Sequence, residues 1–372
     1  MHWTLYQSFL VILFIVTGAI NTIIVKYADL QESESSDGVV RLYFHPYIQT
    51  TQMYLGMMGN LVVFKILICV FKLRSQEMVD EHKLTKGNRN FNVLLLWMPA
   101  MCDMIGMSTM YIALNLTYAS SFQMLRGSVM IFTAILSFPC FRRIPNFREL
   151  FGIFLVIVGL IIVGLSDWKD QEEKKKEEQV SKGHGNVAII GDIMVVASQF
   201  LTASESVLEE RFLLAKDIPP LQAVGWEGIF GFSTLIVLMI AFNFIYVGEP
   251  YASNPGNTLE NPIDALVQIG NNWRILVATI VAIISIPIYY FCALSVGAEL
   301  SATTRQVLDS MRTVIVWIVS CTALDQEFHY LQLIGFLVLL TGMAFYNDVG
   351  CSVLRNKCCP SKGQAENQEE QR

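Results

Sequence analysis

Charge is scarce in this chain. Asp, Glu, Lys and Arg make up 16% of its 372 residues, where a soluble domain of this size carries about a quarter. The five histidines are scattered without ligand spacing, so no metal site is expected. No Gly-x-Ser-x-Gly, Ser/Lys or paired His/Asp constellation occurs in the apolar stretches, which argues against an enzyme and calls for no cofactor. The eight cysteines do not frame disulfides. Cys69, Cys102, Cys140, Cys292 and Cys321 fall in or at the ends of apolar runs, where a small thiol packs well. Cys351, Cys358 and Cys359 follow the last run, either S-palmitoylated or bare. No Lys or Arg precedes the apolar stretch at 5–25 and no small-x-small cleavage site follows it, so a retained first helix is expected instead of a signal peptide.

Apolar residues are what the chain has: 53% of the total. They come in runs of about 20, the length with which an α-helix crosses the hydrocarbon core. A transmembrane β-barrel would alternate over shorter segments. The pattern predicts an all-α integral membrane protein with ten transmembrane helices, at 5–25, 48–71, 91–114, 118–140, 148–166, 187–212, 220–246, 275–296, 300–322 and 328–348. Lys72, Arg74, Lys83, Lys86 and Arg89 lie in the second-to-third loop, and Arg142, Arg143 and Arg148 in the fourth-to-fifth. The loops at 27–47, 247–273 and 323–327 are acidic or nearly free of Lys and Arg. That asymmetry places the N-terminus in the cytosol. The loop at 167–186 dissents, with five lysines on the opposite side, interleaved with acids as a solvated linker.

The chain also repeats itself. At an offset of 183 positions, Ser120 to Leu125 lies over Thr303 to Leu308, Gln123 falls on Gln306, and Gly152 and Gly159 fall on Gly335 and Gly342. An odd number of spans per copy sets the second copy upside down, related by a pseudo-two-fold axis in the membrane plane. The domains are then a first five-helix repeat over 1–166, a polar linker over 167–186, a second, inverted five-helix repeat over 187–348, and a cytosolic tail over 349–372. The four glycines are expected to let helices pack closely.

Ionisable residues inside the spans carry the functional signal. Arg126 lies about nine residues into the fourth predicted span and Asp309 about nine into the ninth, roughly 14 Å deep. Arg305, Asp309 and Arg312 share a face by their i, i+4, i+7 spacing. Ser198, Thr202, Glu205 and Glu209 share another, and Asn21, Asp103 and Glu227 add polar groups from the first, third and seventh spans. A charge at the bilayer centre costs about 2.5–3.5 kcal/mol on insertion scales, so these side chains must converge on an interior cavity. Gln123, Arg126, Arg305, Gln306, Asp309 and Arg312 are the candidate solute-binding residues; Asp103, Glu205 and Glu209 are candidates for coupling or gating. A guanidinium fork suits carboxylate or phosphate oxygens. Each group also has a plainer reading: Arg305 and Glu209 snorkelling or pairing at the interface, Arg126 with Asp309 or Asp103 holding the halves together, Lys65 snorkelling.

The segments Tyr111 to Asn115, Ala119 to Gly127, Glu299 to Arg305, Val307 to Ser310 and Arg312 to Val314 carry a family likeness. The chain resembles the drug/metabolite transporter superfamily, and within it the F branch of solute carrier family 35, from the first span to the tenth. The resemblance implies a ten-helix inverted-repeat carrier with both termini cytosolic and a central site reached alternately from either side. It further implies a small-molecule solute, a lipid bilayer, and either a homodimer or a membrane-protein partner, with no nucleic acid. Relatives in the wider family exchange nucleotide sugars for nucleoside monophosphates, and the branches occupy Golgi, lysosomal and other endomembranes, the plasma membrane or the mitochondrion. The Phe-Tyr-Asn-Asn and Gly-Ala-Leu-Asn-Lys motifs of fungal GDP-mannose carriers are absent from the seventh and ninth spans; Phe345 to Asp348 stands at the end of the tenth. The expected function is a secondary carrier of a small anionic metabolite by alternating access, against a non-transporting membrane scaffold that binds another membrane protein.

Overall fold

The computed structural model describes residues 4–74, 82, 84–117, 122, 125–141, 146–177, 184–248, 254–300, 305, 308–309, 312, 315 and 330–346. Helix α1 (Leu5–Asp29) opens on a capping box: the Thr4 hydroxyl accepts from the Gln7 amide and the Gln7 side chain accepts from the Thr4 amide. Helices α2 (Pro46–Arg74) and α7 (Pro220–Phe242) begin on proline, whose fixed φ and missing N–H suit a first turn. A 3₁₀ turn at Val93–Leu96 leads into α3 (Trp97–Leu116), and another at Arg126–Ser128 leads into α4 (Val129–Phe141). Helices α5 (Phe147–Glu177), α6 (His184–Lys216), α8 (Pro262–Asn271), α9 (Trp273–Glu299) and α10 (Tyr330–Tyr346) follow. Arg305, Leu308, Asp309, Arg312 and Ile315 are helical too.

Among the described residues, five helical stretches are long and apolar enough to cross a membrane: Leu5–Asp29, Pro46–Arg74, Val93–Leu114, Pro220–Phe242 and Trp273–Glu299. Their burial is that of a protein solvated by lipid. Phe9, Ile12, Val16 and Ile20 line the outer face of α1, and Val277, Ile280, Ile284 and Ile288 that of α9, all exposed. Inside sit Asp103, Glu205, Glu209, Glu227, Arg305 and Arg312, each under 8% exposed. Water would favour the reverse arrangement. The chain is therefore a multi-pass membrane protein.

The helices pack as antiparallel couples: α1 with α9, α2 with α7, α3 with α6, and α5 with α10. Glycine sets the closest crossings. A Cβ on Gly152 would stand 2.7 Å from the Gly342 carbonyl oxygen, and one on Gly159 would stand 2.8 Å from that of Gly335. A Cβ on Gly228 would come 2.5 Å from the Met58 amide across the α2–α7 seam. The close packing expected of Gly152, Gly159, Gly335 and Gly342 is thus seen at the α5–α10 crossing. In α9, Pro287 has no N–H for the Ile283 carbonyl, and Gly56 of α2 lies directly against that oxygen. Asn60 donates to the Pro287 carbonyl at 3.0 Å.

Three elements differ from the expected loops and spans. Helix α5 runs past 166 to Glu177, into the stretch read as a linker. The loop at 247–273 contains α8, and that at 27–47 contains a hairpin of β1 (Glu32–Glu34) and β2 (Val40–Leu42), turned at Gly38 with φ of 80°. Hairpin and α8 form one cap. The Ser33 hydroxyl donates to the Gln268 carbonyl, the Ser36 amide to Asp264, and the Gln268 amide to the Ser35 hydroxyl. His45 is the centre of this cap, with Nδ1 2.6 Å from Glu260 and Nε2 3.5 Å from Asp264, all three side chains almost fully buried. Burial alone would push His45 down; Glu260 and Asp264 outweigh it and hold the imidazole up at about 9. Burial likewise acts to raise the Asp264 carboxyl, and hydrogen bonds from His45 and Ser36 overcome it and hold Asp264 below the usual carboxylate range.

Candidate functional site

The antiparallel couples leave a polar cavity between them, with about 90 Å³ open to water-sized spheres, room for several waters. Helix α1 contributes Asn21 and Lys26, α3 Asp103 and Tyr111, α6 Thr202 and Glu205, α9 Tyr289 and Tyr290. Arg126 reaches it from the 3₁₀ turn before α4, and Arg305, Asp309 and Arg312 from the segment after α9.

One wall is basic. Arg312 Nη2 lies 2.8 Å and Arg126 Nη2 3.7 Å from the same oxygen, Asp309 Oδ2. The Tyr289 hydroxyl donates to Asp309 Oδ1 at 2.9 Å. The Tyr289 ring is held between Phe14, stacked at 5.0 Å, and the Arg312 guanidinium, 5.0 Å from the ring centre. Two guanidiniums thus share one carboxylate, and Lys26 adds a further cation to the lining. Asn21 Oδ1 is buried without a hydrogen-bond partner.

The other wall is acidic. Arg305 is hydrogen-bonded to Glu209, and its Nη2 stands 3.5 Å from Glu205 Oε1. Asp103 accepts from the Tyr54 hydroxyl at 2.8 Å, with the Tyr290 hydroxyl 3.4 Å from its other oxygen. Glu227 of α7, 3% exposed, completes the group from behind. Tyr289 and Tyr290 are ring neighbours, centroids 5.3 Å apart and perpendicular, so adjacent residues of α9 carry one hydroxyl to each wall.

The structure brings Arg126, Asp309 and Arg312 together. Arg305 lines the same cavity and pairs with Glu205 and Glu209; it is buried, not snorkelling. Asp103, Glu205 and Glu209 form the second group. Lys65 is exposed, as its place on α2 suggested. Gln123 and Gln306 lie outside the described residues, as do Cys351, Cys358 and Cys359. Sequence reasoning missed Lys26, Tyr54, Tyr289 and Tyr290. The signal for the last two was a Tyr-Tyr pair beginning two residues after an in-helix proline.

Comparison with known proteins agrees with this architecture. The pattern of the UAA transporter family matches residues 38–350. Human solute carrier family 35 member F6 is 42% identical over 350 residues, covering 94% of this chain and 91% of that protein. The rat protein of the same name is 41% identical over 352 residues, with 94% and 90% covered. An uncharacterised Schizosaccharomyces pombe protein is 28% identical over 91% of this chain and 96% of its own length. A crystal structure 11% identical in sequence superposes with a TM-score of 0.55 over 94% of this chain and 98% of its own, which bears on the fold alone.

Proposed function

Because the chain belongs to the UAA transporter family, in the F branch of solute carrier family 35, we propose that it carries a small anionic metabolite across an endomembrane by alternating access. That it is a transmembrane solute transporter and not an enzyme follows from the family itself. The anionic solute and the mechanism are our reading of the cavity. A nucleotide sugar is one candidate solute, on family analogy alone, and lysosome or Golgi is the compartment we favour.

One observation carries the proposal: Arg126 and Arg312 converge on a single carboxylate in a buried polar cavity. Two guanidiniums are more cation than Asp309 alone balances, and a negative solute is what supplies the difference; Lys26 has Asp29 as its own neighbour. Asp309 keeps both guanidiniums partnered while the site is empty, which avoids the cost of a bare buried charge. An entering carboxylate or phosphate then competes with Asp309 for the forks. We assign Gln123 and Gln306 to orienting the solute by hydrogen bonds, and Arg305 to positioning Glu205 and Glu209.

We also read the ten spans as two inverted repeats, 1–166 and 187–348, about the segment 167–186. The couples support this. Exchanging the halves turns the α1–α9 seam into the α3–α6 seam and returns the α2–α7 and α5–α10 seams to themselves. At the repeat offset Gly152 becomes Gly335 and Gly159 becomes Gly342, so the crossing of Gly152 with Gly342 becomes that of Gly335 with Gly159. Equivalent helices that cross antiparallel at equivalent glycines are what a two-fold axis in the membrane plane would produce.

The test is uptake by proteoliposomes holding the full chain, offered a panel of nucleotide sugars, nucleotides and amino acids. Saturable uptake of an anionic member is expected, and Arg126→Ala should weaken its apparent affinity at least ~30-fold, for a loss of about 2 kcal/mol or more. Wild-type uptake in the variant, at equal protein level, refutes the site.

A further inference from the structure

The acidic wall holds far more negative charge than its one guanidinium can balance. Arg305 contacts Glu205 and Glu209. Asp103 faces tyrosine hydroxyls from α2 and α9. Glu227 enters from α7 with Oε1 buried and without a hydrogen-bond partner, and its electrostatic neighbours are Glu209 and Glu205. Among the described residues, the titratable and charged groups that face this cluster are Asp103 and the Cys102 thiol from α3, the two glutamates from α6, Glu227 from α7, Tyr54 from α2, Tyr290 from α9, and Arg305 from the segment after α9. Apart from Arg305, none of them carries a positive charge. Burying an unpaired carboxylate costs several kcal/mol after relaxation, and like charges in contact add to it. A carboxyl group escapes both costs by taking a proton.

We propose that Glu227 and Glu205 form a proton-binding site, with Glu209 beside Arg305 as its fixed ionic neighbour, reached from the cavity through Asp103 and Glu205, and that the transport cycle loads and unloads it. Each loading adds one proton from water to a carboxylate oxygen and converts it to a neutral O–H donor; unloading returns that proton to water. Nothing else is consumed. Glu227 and Glu209 are the deeper members, since Asp103, Glu205 and Arg305 line the cavity and these two do not. The unpartnered oxygen of Glu227 is the place a proton would take. Arg305 sets the capacity, because a guanidinium beside Glu209 holds part of the group ionised in every state.

Coupling of these protons to a solute rests on the carrier reading above; the binding of the protons does not. The experiment measures binding directly. The purified full chain, without added solute, is followed by infrared difference spectroscopy between acid and alkaline pH, in wild type, Glu227→Gln and Glu205→Gln. Wild type should show a titrating C=O stretch of protonated carboxyls, and each variant should lose intensity corresponding to one carboxyl. Glu205→Gln supplies the answer where Glu227→Gln fails to fold. An unchanged band in both variants overturns the proposal. So does a band abolished by sodium at fixed pH, which would make the group a metal-cation site. Lost intensity in the variants with no uptake of any panel member would sink the carrier reading and leave the proton site standing. Uptake with an unchanged band would do the opposite.

Discussion

Replacing His45 with glutamine removes the only histidine held between two carboxylates among the described residues. The imidazole is held up at about 9 by Glu260 and Asp264, against the burial that opposes it. In the unfolded chain it titrates near 6.5. A folded value above the unfolded one means that the native state binds the proton more tightly. The stabilisation is complete below about pH 6.5, declines as pH rises, and is gone above about 9. The interval corresponds to about 3 kcal/mol at 1.36 kcal/mol per pH unit, counted once for the whole His45–Glu260–Asp264 group. Thermal unfolding of the purified full chain in detergent, followed by circular dichroism between about pH 6 and pH 10, checks this. Wild type should lose stability across the window. His45→Gln should be less stable at the acid end, because Glu260 and Asp264 are left without their cation, and the difference should close as wild type deprotonates. Two parallel curves, with a gap that does not change with pH, would refute the ion pair as the source of the cap's stability.

Other substitutions probe the packing and the basic wall. Gly159→Val sets a Cβ 2.8 Å from the Gly335 carbonyl oxygen, against backbone that cannot swing aside, and should cost about 1–3 kcal/mol of thermal stability. Gly342→Val should cost a similar amount at the neighbouring crossing, and the double variant less than the sum, because α5 and α10 separate only once. Full additivity would mean the two crossings do not belong to one seam. Tyr289→Phe removes the hydroxyl that donates to Asp309 and leaves the ring between Phe14 and Arg312. With one hydrogen bond worth about 0.5–1.5 kcal/mol, KM for the anionic solute should rise roughly two- to twelvefold with folding unchanged. Tyr289→Ala, which also loses the stacking, should reduce thermal stability; equal melting of the two variants would argue against the stack.

The long apolar runs made most of the spans legible, because twenty residues of hydrocarbon-compatible sequence admit few alternatives to a helix. The bounds of α1, α7 and α9 fall within a few residues of those expected. Gly152 and Gly159 were legible as packing residues because a repeat at fixed offset doubled the signal. Arg126, Asp309 and Arg312 were legible because a charge within a span has few places to go. What escaped was specified sideways, between segments distant in the chain. The hairpin and α8 are short and polar, and they are tied by buried contacts such as Ser33 to Gln268 that no periodicity marks. Arg305 could not be divided by spacing between the two walls, because helical phase gives a face and not the neighbour on it. Tyr54, Tyr289 and Tyr290 were not legible, since an aromatic ring in a span is usually only bulk.

Asn60 and Gly56 lie against α9 where Pro287 interrupts its ladder, and Tyr289 and Tyr290 follow within the next turn. A bend at that break would swing both phenols as one body, like two teeth on a single key. Movement that lifts a hydroxyl off Asp309 also shifts the one beside Asp103. Solute and proton would then need no relay through the rest of the protein to sense each other; a single joint in one helix would turn both locks together.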